Sequence, residues 1–111
     1  MASTDFEDNT EEFKSEINKA LEQALEEIGL TAEGYAKLIC PVDTGRLRNS
    51  ITHEVDADEN VVYIGTNVEY AAPVELGVPP KRRAQPYLRP AAENHADEYK
   101  RIIESRLKGQ N

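Results

Sequence analysis

From Phe13 onward apolar residues recur at spacings of three and four: Phe13, Ile17, Ala20, Leu21, Ala24, Leu25, Ile28, Ala32, Tyr35, Ala36 and Ile39. That period places them on one face of a long amphipathic helix. Asn9 or Thr10 is the expected cap, and Gly29 and Thr31 mark a weak point near its middle. Pro41 stops the helix after Cys40, because it lacks a backbone donor and its ring fixes φ. The period then changes to two. Residues 51–57 and 61–66 alternate and are β-branched, and Asp58-Glu59-Asn60 between them predicts a hairpin turn. Residues 68–76 suit a short helix, with Pro73 tolerated in its first turn. Residues 77–86 hold Gly77, Pro79, Pro80 and Pro86 and read as an exposed loop, the most mobile internal segment. Tyr87 and Leu88, bracketed by Pro86 and Pro90, are expected to pack into the core. Pro90 then opens a last helix to Leu107, striped by Ala91, Ala92, His95, Tyr99, Ile102, Ile103 and Leu107.

These elements make an α+β domain: a long N-terminal helix and a C-terminal helix packed on a small antiparallel β-sheet. Residues 1–111 fit a single domain, with 1–10 and 108–111 expected to be disordered.

Between helix and hairpin lies the most particular stretch of the chain, Pro41-Val42-Asp43-Thr44-Gly45-Arg46-Leu47-Arg48-Asn49-Ser50-Ile51. Asp43 and Thr44 can accept backbone hydrogen bonds, and Gly45 permits positive φ, so the three read as a structural turn. The stretch resembles the signature of the tail-completion or head–tail joining proteins of long-tailed bacteriophages and their prophage relatives. Gly65-Thr66-Asn67, Tyr70-Ala71, Val74-Glu75-Leu76-Gly77 and Gln85-Pro86-Tyr87-Leu88-Arg89-Pro90-Ala91 are similar to the same family in the same order. The resemblance covers residues 20–107. It implies helices packed on a small sheet and a structural role without catalysis. It also implies a ring of about six copies, which needs interfaces that close on themselves. The implied partners are a phage connector or head-completion protein and tail tube or tail terminator proteins, met in the bacterial cytoplasm and kept in the virion. A minor head or neck protein at the same junction is the nearest alternative.

Charge bears on how copies would meet. The net charge is −8, but residues 1–30 carry nine acids and two bases while residues 81–111 carry four acids and eight bases. Solvated helix faces with acids early and bases late account for this. So would acidic and basic ends that meet on neighbouring copies. Lys81-Arg82-Arg83 is the basic cluster and the candidate partner-binding site. It reads as a solvated loop, as a loop that orders against an acidic protein surface, or as a weak phosphate contact. An acidic chain makes nucleic acid a poor default partner.

Candidate chemistry is sparse. Asp43-Thr44-Gly45 is also the tripeptide of the aspartic proteases, whose small homodimeric type joins two carboxylates that share a proton. That chemistry needs strands where this chain has a helix before the motif and Arg46, Arg48 and Asn49 after it. A regulatory module that binds a host protein through the long helix is a further rival. Cys40 cannot form an internal disulfide and reads as a small buried hydrophobe. His53 and His95 lack partners at zinc spacing and read as exposed or hydrogen-bonded. No cofactor, metal, catalytic set, membrane span or signal peptide is expected.

Overall fold

The computed structural model describes residues 2–41, 45–68, 71–77 and 83–109, with backbone alone at 2–9, 72 and 73. The elements are α1 (Ala2–Ile39), α2 (Arg46–Ser50), β1 (Thr52–Asp56), β2 (Val61–Gly65), α3 (Ala71–Leu76), α4 (Leu88–Glu93) and α5 (Ala96–Lys108). This is the α+β arrangement of helices on a small antiparallel sheet. The molecule is a rod, 72 × 23 × 22 Å, because one helix of 38 residues spans about 57 Å by itself.

Helix α1 is the spine. Ala20, Ala24, Leu25, Ile28, Ala32 and Ala36 are buried along it, and the alanines let the hairpin and α5 lie close on either side. The helix starts at Ala2, ahead of the Asn9 or Thr10 cap expected, and Gly29 and Thr31 do not interrupt it. Thr31 instead donates its hydroxyl to the Glu27 carbonyl at 2.8 Å, a bond within the helix. The apolar stripe overruns its partners at both ends. Phe13 is 56% exposed and Ile39 47%, so neither belongs to the core.

Strands β1 and β2 pair antiparallel from Thr52↔Gly65 to Asp56↔Val61. Asn60 takes a left-handed φ of 56° in the connecting loop, and the Asp56 carboxylate accepts the Glu59 N–H at 3.1 Å. By alternation, His53, Val55, Val62 and Ile64 face α1, while Glu54 and Tyr63 face outward. Pro73 falls in the first turn of α3, where a missing N–H costs little.

The single last helix expected from Pro90 is two. Helix α4 starts at Leu88, with Pro90 in its first turn, and ends at Glu93; α5 begins at Ala96. His95 breaks the run with φ −121° and ψ 27°, and its ring stacks on Tyr35 with centroids 3.5 Å apart and planes 1° from parallel. The Tyr99 hydroxyl donates to the Ala91 carbonyl, near the break. The Tyr35 hydroxyl donates to Glu98, and Arg106 reaches Glu27 with two bonds of 2.8 and 3.0 Å. These contacts pin α5 antiparallel to α1.

Candidate assembly surface

The signature segments, far apart in sequence, meet at the end of the rod opposite the α1 N-terminus. Ala36, Cys40, Leu47, Ile51, Val68, Val74, Tyr87 and Ala91 form one buried cluster there. Cys40 packs as the small hydrophobe expected, and burial pushes its thiol pKa up, which disfavours the reactive thiolate. Tyr87 is fully buried, again as expected.

Gly45 enters this end with φ +83° and ψ −8°, a left-handed conformation that costs an L side chain about 1–2 kcal/mol. The glycine lets the chain reverse into α2 and sends Leu47 into the core, with Arg46 and Arg48 outside. Its carbonyl accepts the Asn49 N–H at 2.9 Å. Asp43 and Thr44, expected to bond this turn, lie outside the described residues.

Two polar relays lock the segments together. The Val68 N–H donates to the Thr66 hydroxyl at 3.1 Å, Thr66 pairs with Ser50, and Ser50 donates to the Leu47 carbonyl at 2.7 Å. The second relay is a clamp. Glu75 in α3 accepts the backbone N–H groups of Tyr87 and Leu88 at 2.9 Å each and of Arg89 at 3.3 Å. Helix α4 has no side-chain cap of its own, so a carboxylate twelve or more residues upstream satisfies its orphan donors. Gln85 N–H also bonds the Val74 carbonyl at 2.9 Å. The segment from Gly77 to Gln85 is thereby tied at both feet. Gly77 leaves α3 at φ 77°. Lys81 and Arg82 lie outside the described residues; Arg83 is exposed.

Along the spine, His53 is the polar latch between sheet and helix. Its Nδ1 lies 2.9 Å from Glu33 and its Nε2 2.6 Å from Glu26. The bond to Glu26, then that to Glu33, raises the imidazole pKa above 6.5. Burial disfavours ionisation of Glu33, but its bonds to His53 and Lys37 outweigh this and lower its pKa. The ring rests directly over Gly29, where a Cβ would stand 2.5 Å from His53 Cδ2. Sequence reasoning took Gly29 for a weak point and gave His53 no named partner. The signal was there: Glu26, Gly29 and Glu33 share one helix face. Among the described residues no group of His, Cys, Asp or Glu is arranged to hold a metal ion, and no helix is long and apolar enough to cross a membrane.

What the signature builds is a core and an outer surface at one end of a helical rod, which defines a small structural α+β domain. A family model described as "Bacteriophage HK97-gp10, putative tail-component" matches residues 4–77. The chain belongs to this HK97-gp10-like family of phage tail structural components. No curated protein and no solved structure matches it. The motif at Gln85–Ala91 falls beyond the matched span, yet Glu75 and Tyr87 join it physically to the rest.

Proposed function

We propose that this chain completes the tail or joins it to the head during virion assembly, as a ring of about six copies held by protein–protein contacts. The observation that carries the reading is the convergence of the signature segments, within a phage tail family, on one buried cluster at an end that bears the exposed Arg46, Arg48, Arg83 and Arg89. The same end exposes Leu38 and Leu76, at 78% and 73%. Exposed apolar side chains and arginines at one end suit a protein interface. The partners on this reading are a connector or head-completion protein and tail tube or tail terminator proteins, and no step is catalytic. The protease alternative has no support in the fold, since two five-residue strands against a helical rod differ from the all-β frame it needs.

Lys81, Arg82 and Arg83 are proposed to contact a partner. Arg83 is exposed and the stretch holds no apolar side chain, so on replacing all three with alanine the melting temperature should hold. Joining should fall in a salt-dependent manner, because exposed cations act through screened attraction. The particles should be filled heads and separate tails. Normal joining by this variant would remove the loop from the mechanism, and cofractionation of the chain with free heads would favour a head or neck role.

A further inference from the structure

The hairpin and α5 cover only part of α1. The hairpin tip, at Ala57, Asp58 and Asn60, shares a groove with Asn18 and Glu22, and among the described side chains Ala20 is the first buried residue along the helix. Ahead of it, residues 11–16 are all exposed. The sixteen residues of helix from 2 to 17, about 24 Å, extend past the described hairpin and α5. This arm continues the apolar stripe through Ile17 and Phe13, and residues 1–19 carry six acids against two bases.

We infer that the arm docks on a second copy of this chain, across the arginine-rich signature end of its neighbour. Charge selects the occupant. Two arms laid on each other would oppose strongly acidic helices, whereas the far end presents Arg48 and Arg83, with Arg89 beside them shared with Glu93 at 3.2 Å. Glu75, the nearest acid in α3, is already engaged with backbone N–H groups. The apolar parts agree as well, since Phe13 and Ile17 lie one turn apart and the neighbour's end exposes Leu38 and Leu76. An amphipathic helix seated on an apolar surface is a recurring recognition mode. The chain already makes one such charge contact internally, between Glu27 of α1 and Arg106 of α5. Arm-to-end docking is heterologous, the type that builds rings or filaments rather than closed dimers.

The contact supplies an interface for the ring proposed above and rests on that reading only for its place in the particle. The test is a charge swap read by sedimentation of the full chain. The arm variant is Glu11→Lys, Glu12→Lys, Glu16→Lys; the end variant is Arg48→Glu, Arg83→Glu, Arg89→Glu. All six positions are exposed, so circular dichroism should match the wild type, with melting lowered only slightly by loss of the surface pairs Arg89–Glu93 and Glu11–Lys14; exposed Phe13→Ser serves as an independent arm variant. The wild type should associate at low salt and dissociate as salt is added. Either triple variant alone, and Phe13→Ser, should associate at least ~tenfold more weakly. An equimolar mixture of the two triple variants should recover association, since each arm then meets an end of opposite charge. A wild type monomeric at low salt, or a mixture no better than its parts, overturns the contact. Loss in the arm variant with none in the end variant would mean arm-to-arm pairing and also overturns it. Recovery of the chain with purified tails is a separate readout, and it would keep the tail role standing if the contact fell.

Discussion

Replacing Gly29 with alanine sets helix propensity against packing, and the two predict opposite signs. In a helix interior the change should stabilise by about 1 kcal/mol. At Gly29, however, the new Cβ would lie 2.5 Å from His53 Cδ2, 2.9 Å from Cγ and 3.1 Å from Val62 Cγ1. The ring must retreat by roughly an ångström to reach ordinary contact. Both its nitrogens are held by carboxylates of α1 itself, so retreat stretches both bonds. Overpacking of this kind costs about 1–3 kcal/mol, and weakening a charged hydrogen bond adds up to about 1.5 kcal/mol. The bond to Glu26 counts for less because that side chain is 63% exposed. Subtracting the propensity gain leaves a net loss of up to about 3.5 kcal/mol, centred near 2, or a melting temperature lower by several degrees. Gly34 is the control, since it lies in the same helix and a Cβ there would meet nothing within 4 Å. Gly34→Ala should stabilise by about 1 kcal/mol. Denaturant unfolding of both variants, with Gly29→Ala repeated in a His53→Ala background, reads the difference. In that background only the 3.1 Å approach to Val62 Cγ1 remains, so Gly29→Ala should lose most of its cost or become stabilising. A Gly29→Ala protein as stable as Gly34→Ala, with no coupling to His53, would refute the notch.

Gly45→Val places a β-branched residue at φ +83° and should destabilise by about 1–3 kcal/mol in thermal unfolding. Glu75→Ala leaves the N–H groups at the start of α4 without their acceptor; it should cost about 1–3 kcal/mol and speed hydrogen exchange at Tyr87, Leu88 and Arg89. The His53 latch should weaken at both pH extremes. Its raised imidazole pKa contributes stability that is complete below 6.5 and lost as pH rises through the folded value. The lowered pKa of Glu33 contributes above 4.5 and is lost as pH falls through its folded value. An NMR titration of His53 with a midpoint above 6.5, and a flatter stability profile in His53→Gln, would check this.

Residues whose environment is local were legible in the sequence. The three-four spacing gave α1, alternation gave the hairpin, and Gly45 announced its positive φ through its setting after a helix broken by Pro41 and the turn residues Asp43 and Thr44. Cys40 was placed inside by the apolar helix face it ends, and Tyr87 by its pairing with Leu88 between Pro86 and Pro90. What failed depended on partners remote in the chain. Periodicity ran Phe13 and Ile39 into the core because it records a face and not where the covering elements stop. His95 looked like one more stripe position until its ring found Tyr35, sixty residues earlier, and split the last helix. Glu75 carried no sign of the helix it caps. Gly29 seemed a weakness because the ring that occupies its notch comes from a strand.

As proposed, this chain works at the head-proximal end of the tail. Tails purified from a prophage encoding a C-terminally tagged copy can be imaged by electron microscopy with a label on the tag. Label confined to the head-proximal tip, lost together with joining when the gene is deleted, is the predicted result. Label on heads alone, or along the tail tube, or particles that join normally without the chain, would contradict it.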